Sequence, residues 1–597
     1  MEKQILYYSE RITQFKLETK TEKKKADFIL YSRLLLFIGT FICSVIFIKT
    51  QPIFIYTLLF FTITLFLFLI KQGLKIKRKI DFLNKLIKAS EIEIDLLNNN
   101  FENYNEGAEF IDKQHNFLSD LDIFGKRSIF QLLNRTATYS GKIKLTNWLT
   151  RPFLDKKIII ERQKAITEFA TKPEWNQHFI ALGLSSDENA VDRNVIEDWL
   201  NESNIFSTLF LKICSYALPA LTLCALVLYF LKVIESTAFV YLFFAQLLIV
   251  GSKTGKVNQI HNSLSRKLNS IEKYNSLIKI IEQENFNAEN IKTLKSNLSK
   301  SGVAASTSIH QLKKLVDSLD ARLNILIAVV LNGILLWDIN VMIRMERWKN
   351  KNKSLFFNWI DVIGEFDAFV SLGMYTYNHP LYILPEVDTT TFVIEAENMG
   401  HPLLMETKMV TNNYHSQGNC KIDILTGANM AGKSTFLRTL GVNLTLAMIG
   451  VPVCATKFKF SPVTLFTSLR TNDSLQQNES FFYAELKRLQ SLIQQYETGK
   501  KIFFLLDEIL KGTNSKDQHI GSEALIKRLI ALNGTGIIAT HDIELATLAS
   551  EYASNVRNLC FEITIDGDRL IFDYKLKEGV CSTMNASFLL KRMGIVL

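Results

Sequence analysis

The segment LTGANMAGKSTFLRTLG, at residues 425–441, restricts the fold of this chain more than any other feature of its sequence. Its residues Gly427, Gly432, Lys433 and Ser434 fit the G-x-x-x-x-G-K-[ST] pattern of phosphate-binding loops. The apolar run KIDIL precedes the loop and a helical pattern follows it, so the sequence predicts a strand, the loop and a helix in that order. A glycine turn that binds nothing is the alternative, and it would require the pattern and both flanks to coincide by chance.

The chemistry of this loop predicts a nucleotide site that uses ATP and Mg²⁺. Glycines allow backbone N–H groups to surround phosphate oxygens, and the N-terminus of the following helix adds its positive dipole end. We expect Lys433 to neutralise the β- and γ-phosphates and Ser434 to supply an oxygen to Mg²⁺. The predicted nucleotide-binding residues of the loop are Gly427, Ala428, Asn429, Met430, Ala431, Gly432, Lys433, Ser434 and Thr435.

Two further strand ends complete the predicted catalytic site. The run KIFFLLDE ends in Asp507, which can reach Mg²⁺ through water, and Glu508, which can act as general base toward the attacking water. The run GTGIIATHD places His541 just past another apolar strand, where a histidine can sense the γ-phosphate. A solvated acidic strand end and a structural histidine are the alternatives. We predict Lys433, Glu508 and His541 as catalytic residues, and Ser434 and Asp507 as the metal site.

Two uncharged apolar runs near the N-terminus predict a transmembrane hairpin. They cover residues 34–48 and 53–70, and the polar turn KTQP joins them. Basic residues flank the outer ends at 23–25 and 71–79, which predicts that both ends stay in the cytoplasm. The first run is short for a span, so its flanking basic side chains would have to reach the interface.

A second pair of apolar runs covers residues 213–231 and 236–252, and lysines follow it. Length and flanking charge again predict a membrane hairpin, and buried core helices are the alternative for both pairs. A third apolar run, residues 323–337, is interrupted by two asparagines. For this run we predict a buried core helix.

The rest of the sequence predicts a helical middle part and an α/β C-terminal part. Between residues 256 and 298 apolar residues recur at helical spacing without proline, which indicates a long amphipathic helix or helix pair. A lever and a plain bundle helix both fit this pattern. Short β-rich runs alternate with helical stretches after Pro380. We therefore predict an N-terminal region at 1–127, a helical core and lever domain at 128–380, and an ATPase domain at 381–597.

These motifs together resemble the MutS family. TGANMAGKSTFLRTLG is similar to its nucleotide loop, NDSLQQNESFFYAELKRL to its signature segment, LLDEILKGTNSKDQ to its Walker B motif and D-loop, and IIATHDIELATLA to its switch-histidine strand. Further upstream, LLNRTATYSGKIKLTNWLTRPFLDKKIIIERQKAI resembles the start of the MutS core domain. The resemblance implies a C-terminal α/β P-loop ATPase domain of the ABC type. An all-α lever and core domain with the transmembrane helical hairpins would precede it.

The resemblance also implies a site shared between two copies of the chain. Ser480 would cap a helix and reach the γ-phosphate held by the other copy, with Glu485 on the same helix. Asp517 falls in the D-loop, which lies across the interface in ABC-type dimers. The predicted state is therefore a homodimer in which each copy completes the ATP site of the other.

The sequence departs from the family where MutS reads mismatches. It contains no Phe-x-Glu motif, and the first hairpin stands where a mismatch-recognition domain is expected. The net charge of +10 suits DNA and an anionic membrane surface equally. We expect an ATPase anchored in the inner (cytoplasmic) membrane, with its ATPase domain in the cytoplasm and with ATP-dependent DNA binding in mismatch repair or DNA processing. The alternative is an ABC-type ATPase that drives transport or a scaffold without DNA.

Overall fold

A computed structural model describes residues 2–47, 52–184, 197–265, 268–299, 302–428, 430–469, 481–566 and 569–581 of the chain. Helices dominate the chain up to residue 378, and two β-sheets with intervening helices follow. The helices of the first part are α1 (Glu2–Phe47), α2 (Pro52–Leu97), α3 (Ile129–Leu133), α4 (Tyr139–Thr150), α5 (Lys156–Ala170), α6 (Pro173–Gly183), α7 (Leu209–Phe230), α8 (Ser236–Ser265), α9 (Leu268–Gln283), α10 (Glu289–Ser296), α11 (Ala305–Leu319), α12 (Ile325–Leu335) and α13 (Trp337–Asn378). The helices of the second part are α14 (Lys433–Ile449), α15 (Phe481–Glu497), α16 (Ser515–Ala531) and α17 (Leu548–Glu551).

The first pair of apolar runs lies on α1 and α2, two helices of 46 residues each that pack along one another. Each helix is about 69 Å long, which is more than twice the hydrocarbon thickness of a bilayer. The start of α1 packs on the helical body, where the buried Tyr8 hydroxyl donates a hydrogen bond to Asn378 Oδ1 (2.8 Å). The apolar portions are instead exposed, with Phe41 at 64% and Phe61 at 71%.

The second pair of apolar runs lies on α7 and α8. Gln246 of α8 is fully buried between the two helices, and its Nε2 donates to Thr222 Oγ1 of α7 (2.5 Å). The outer faces remain apolar and exposed. By length and composition, α1, α2, α7 and α8 are the helices in the described ranges that could cross a membrane, and α11 with α12 would add a fifth as one bent pair.

The third apolar run corrects one sequence prediction, because α12 is not a buried core helix. It packs on α8 and α7, and its buried residues are Asn332 and Gly333. A Cβ atom on Gly333 would lie 2.2 Å from the Phe243 ring, so this contact requires glycine. The opposite face is exposed, with Ile325 at 77% and Leu326 at 79%. An uncharged apolar run has the same sequence pattern whether its outer face is covered or open, so the prediction could not separate the two.

The long helix α13 connects the region of α12 to the start of the sheets. It contains 42 residues and packs against α4, α5, α6 and α11. At its C-terminal end, Asn378 Nδ2 donates to Glu93 Oε2 of α2 (2.6 Å), and Arg135 Nη2 pairs with the same carboxylate (3.2 Å). The Glu93 and Arg135 side chains are each 1% exposed. This ion pair lets two opposite charges share the interior where α2, α3 and α13 meet.

The C-terminal part holds a six-stranded sheet and a four-stranded sheet. The strands are β1 (Glu386–Val387), β2 (Val393–Met399), β3 (Asn412–Gln417), β4 (Ile422–Gly427), β5 (Lys457–Phe460), β6 (Thr464–Ser468), β7 (Ile502–Asp507), β8 (Thr535–Thr540), β9 (Val556–Asp566) and β10 (Arg569–Glu578). The six-stranded sheet has the order β10-β9-β4-β8-β7-β6 and is parallel except for β10. The four-stranded sheet has the order β1-β5-β2-β3. A mostly parallel sheet connected by helices is the α/β arrangement that the phosphate loop predicts.

Candidate nucleotide site

Three neighbouring strands of the six-stranded sheet end at one edge. β4 lies beside β8 and β8 beside β7, all parallel. Because the carboxyl ends of parallel strands meet at the same edge, the loop after β4, Asp507 at the end of β7 and His541 after β8 come together. The three strands are almost fully buried, which explains why apolar residues predominate in their sequences.

The phosphate loop holds Lys433 inside the protein. Gly427 and Gly432 bound the loop with φ angles of 152° and 108°, which other residues rarely adopt. Lys433 is 4% exposed, and its Nζ donates to Gly427 O (2.6 Å) and Ala428 O (3.2 Å). Burial lowers the pKa of Lys433, against the attraction of Glu508 and Asp507. The ammonium group therefore sits where phosphate oxygens can replace the two carbonyl groups.

Ser434 and Asp507 form an oxygen site that fits Mg²⁺. Ser434 Oγ donates to Asp507 Oδ2 (2.5 Å). Burial raises the pKa of Asp507, and the hydrogen bond from Ser434 and the charge of Lys433 oppose that shift. The second carboxylate oxygen, Oδ1, is buried without a hydrogen-bond partner among the described residues. A hydroxyl and a buried carboxylate oxygen with free lone pairs are the donors that Mg²⁺ and its bound waters prefer.

Glu508 is held by two basic side chains beside this oxygen site. His541 Nε2 contacts Glu508 Oε1, and Lys511 Nζ contacts Oε2. Burial would raise the pKa of Glu508, but the hydrogen bonds from His541 and Lys511 outweigh it and lower the pKa to about 2. The Glu508 backbone has a positive φ of 49°, and its N–H donates to Ala539 O (2.8 Å). The carboxylate is thus ionised at neutral pH and aimed along the strand edge toward His541.

The remaining predicted loop residues differ in exposure. Met430 is 83% exposed, Ala431 is buried, and Thr435 is exposed on the first turn of α14. Asn429 and Ser480 lie outside the described residues, so their predicted roles stay predictions.

Two residues that the family resemblance singled out, Glu485 on the helix of Ser480 and Asp517 in the D-loop, lie beyond the phosphate loop. Glu485 of α15 is 9% exposed, and its Oε1 accepts from the Leu510 N–H (2.7 Å), which fixes the segment after Glu508. Asp517 is exposed near the start of α16, where its N–H donates to Asn514 Oδ1 (2.9 Å) and its carboxylate accepts from Asn514 Nδ2 (2.7 Å). Glu485 therefore orders the site from within the chain, whereas Asp517 is available at the surface.

Sequence reasoning missed Tyr574, which lies on β10 against the phosphate loop. A Cβ atom on Gly432 would lie 3.2 Å from Tyr574 Cδ1. The backbone of Tyr574 has a positive φ of 51°, and its carbonyl accepts from Asn412 Nδ2 (3.0 Å). Its side chain is 42% exposed and stacks on Phe572. An exposed ring fixed beside a phosphate loop can stack on a nucleotide base, and no motif marks this position in the sequence.

We expect Tyr574→Ala to raise the KM for ATP about 5- to 150-fold with a smaller change in kcat, because stacking on a base contributes about 1–3 kcal/mol. Tyr574→Phe keeps the ring and should retain a KM near that of the wild type. Steady-state phosphate release at varied ATP concentration measures both constants. Equal losses in the two variants would show that the hydroxyl group or the fold matters instead of the ring.

Two arginines connect the nucleotide site to the helical body. Arg162 is buried, and its Nε donates to Ile449 O (2.9 Å) at the C-terminal end of α14, while its guanidinium lies 3.8 Å from the Trp148 ring centroid. A cation at this end of a helix is favourable, although burial lowers the pKa of Arg162 to about 9. Arg488 of α15 pairs with Asp120 Oδ2 (3.2 Å). The helices that begin at the phosphate loop and near Ser480 are therefore both fixed to the N-terminal part of the chain.

Two family models match this chain. MutS domain III matches residues 113–373, and MutS domain V matches residues 423–591, which include the strand ends described above. The chain is 29% identical over 215 residues to MutS protein homolog 4 of Mus musculus, covering 34% of this chain and 22% of that protein. It is 30% identical over 240 residues to DNA mismatch repair protein MutS of Persephonella marina (39% and 27%) and 32% identical over 228 residues to that of Fervidobacterium nodosum (37% and 26%). The chain thus matches about a quarter of the length of these relatives.

Proposed function

Because the chain belongs to the MutS family, we propose that it is a membrane-anchored ATPase whose catalytic sites are completed by a second copy of itself. The observation that carries this proposal is the meeting of Lys433, the Ser434–Asp507 pair and Glu508 at one sheet edge inside the match to MutS domain V. In this family that domain is the ATPase domain, which supports ATP as the substrate.

Each residue of the site has a distinct task in the proposed hydrolysis. Lys433 exchanges its two loop carbonyls for oxygens of the β- and γ-phosphates. Ser434 and Asp507 would hold Mg²⁺, which when bound withdraws negative charge from the phosphates. Glu508 accepts a proton from the attacking water after Lys511, whose side chain is 41% exposed, has moved away from the Glu508 carboxylate. His541 stays in contact with the other carboxylate oxygen of Glu508. Its Nδ1 lies 3.5 Å from Lys433 Nζ, so His541 is close enough to contact the same phosphate as Lys433.

A mixture of two inactive variants tests the shared site. In a dimer of one Lys433→Ala copy and one Ser480→Ala copy, one site carries both changes and the other carries neither. We therefore expect such heterodimers, isolated through two different affinity tags, to hydrolyse ATP at about half the wild-type rate, as head-to-tail sharing between two copies requires. Phosphate release per dimer is the measurement.

Homodimers of each variant are the controls, and both should be inactive. If the isolated heterodimer is as inactive as the two homodimers, Ser480 does not act across the interface. If the Ser480→Ala homodimer keeps the wild-type rate, Ser480 has no part in hydrolysis.

The anchoring part of the proposal rests on the exposed apolar surface of α1, α2, α7 and α8. Large apolar patches are rarely left in water, and these helices carry them over the length of a bilayer. Basic residues at 23–25 and 71–79 flank the first hairpin, which favours cytoplasmic placement of both ends at the inner membrane. The same placement puts the nucleotide site in the cytoplasm with ATP.

DNA is the proposed macromolecular partner, supported by the relatives named as DNA mismatch repair proteins and by the net charge of +10. We expect detergent-solubilised protein to bind duplex or branched DNA in a manner that depends on ATP and weakens with salt, since phosphate contacts release counterions. Binding to homoduplex, mismatched and branched DNA, compared by fluorescence anisotropy, also tests mismatch preference. An anisotropy that stays at the level of free DNA with all three, at low salt and with ATP, would favour the transport or scaffold alternative.

A further inference from the structure

The short helix α12 has the surface of a membrane-inserted element, although the sequence predicted a core helix. Its eleven residues, ILIAVVLNGIL, carry no charge, and its exposed residues continue the apolar surface of α8, on which it packs. Leu323, Ile325 and Leu326, which surround its start, are between 74% and 79% exposed. Asn324, which is exposed between Leu323 and Ile325, is polar, whereas the rest of this exposed surface is apolar. An apolar surface of this kind is unstable in water and stable in hydrocarbon.

The two ends of α12 are closed by asparagine side chains. Asn324 Oδ1 accepts from the N–H groups of Leu326 (3.1 Å) and Ile327 (3.3 Å). At the other end, Asn340 Nδ2 donates to the carbonyl oxygen of Leu335 (2.8 Å). Non-helical backbone is tolerated at membrane depth only where its polar groups are satisfied, and these side chains satisfy several of them. The asparagine that marked an interruption at the start of the run is therefore the cap of a short helix.

The length and setting of α12 fit a helix that enters a bilayer without crossing it. It is about 16 Å long, roughly half the hydrocarbon thickness. It is bent by 115° from the preceding helical segment, and Leu336 leaves it with a left-handed φ of 46° before α13 begins. Arg322, just before α12, pairs with Asp338, just after it (3.4 Å), and both side chains are at most 10% exposed. A buried ion pair between the segments that flank the helix, together with exposed apolar residues on the helix itself, is the polarity profile of a re-entrant helix.

We infer that α12 inserts its exposed face into the hydrocarbon of the membrane beside α7 and α8, so that α13 starts at the membrane. The inference rests on the proposed membrane anchoring and adds a lipid-contacting element to it. The occupant of this face is lipid acyl chain, because the exposed residues of α12 itself carry no charged or hydrogen-bonding side chain and continue the exposed surface of the hairpin.

Site-specific photo-crosslinking tests this inference in the full-length protein. Benzoylphenylalanine is placed singly at Leu326, at Val227 on α7, or at Leu381 after α13, which are 79%, 56% and 74% exposed. Each variant is reconstituted in vesicles of phosphatidylethanolamine and phosphatidylglycerol and irradiated. We expect a mass shift of one phospholipid at Leu326 and Val227, with the adduct on the acyl chain by tandem mass spectrometry, and no such shift at Leu381.

The three positions separate the possible failures. Lipid adducts at Val227 without any at Leu326 would overturn the insertion of α12 and leave the hairpin in place. A crosslink from Leu326 to a second copy of the chain would overturn it as well and assign the face to self-association. If neither Leu326 nor Val227 reaches lipid, the anchoring by α7 and α8 fails together with this inference.

Discussion

Replacement of Glu508 by glutamine is expected to lower ATP hydrolysis about 10²- to 10⁴-fold, which corresponds to about 3–5 kcal/mol of activation free energy. Glutamine keeps the shape of the side chain and removes its capacity to accept a proton, together with the charge that pairs with His541 and Lys511. The phosphate loop, Ser434 and Asp507 are unchanged, so ATP binding should persist. Single-turnover phosphate release measures the chemical step, and equilibrium binding of a fluorescent ATP analogue measures the affinity.

Glu544→Gln is the matched control for this experiment. Glu544 lies in the same domain, close to His541, and its side chain is 81% exposed. We expect this variant to hydrolyse ATP at the wild-type rate. Equal single-turnover rates for Glu508→Gln and the wild type would exclude Glu508 as the base, and would favour a scaffold in which bound nucleotide only holds two copies together.

Replacement of Glu93 by glutamine is expected to lower the free energy of unfolding by about 3–5 kcal/mol, the usual cost of breaking a buried ion pair from one side. Arg135 would stay buried with its charge uncompensated, and Asn378 would lose a charged acceptor. Because these contacts join α2 to the C-terminal end of α13, the loss should appear in the first unfolding transition of the helical part. Urea titration in detergent, followed by tryptophan fluorescence, is the measurement.

Glu91→Gln, on the same helix, is the control for the buried pair. Glu91 is exposed, and surface substitutions of this kind usually change stability by no more than about 0.5 kcal/mol. If both variants unfold at the wild-type urea concentration, the Glu93–Arg135 pair is not a stabilising contact of the fold.

The nucleotide site was largely predictable because each of its parts follows a buried parallel strand. Asp507 ends β7, and His541 directly follows β8. Lys433 and Ser434 follow β4 across the phosphate loop, and adjacent strands bring these ends together. Their catalytic roles remain predictions. The geometry around them was not predictable in the same way, because Lys511 holds Glu508 through a pairing that no motif marks.

Contacts between distant segments left no trace in the sequence. Arg488 and Asp120 are 368 residues apart, and in the sequence neither can be distinguished from an ordinary charged surface residue. Tyr574 is brought to the phosphate loop only by the antiparallel pairing of β10 with β9. The apolar character of α12 was evident from the sequence, but the side it presents to its neighbours was decided by the contact between Gly333 and Phe243. Periodicity predicts elements, whereas tertiary contacts decide which face is covered.

The unbroken course of α13 has a mechanical consequence. A helix of 42 residues is a stiff rod about 63 Å long, so a tilt of about 10° around one end sweeps the other end through about 11 Å. Movements of atomic size near the sheets can therefore become displacements comparable to the width of a helix at Trp337. A rigid helix that enlarges a movement in this way reduces the force at its far end in proportion. This geometry is better suited to repositioning an attached segment than to pulling it against resistance.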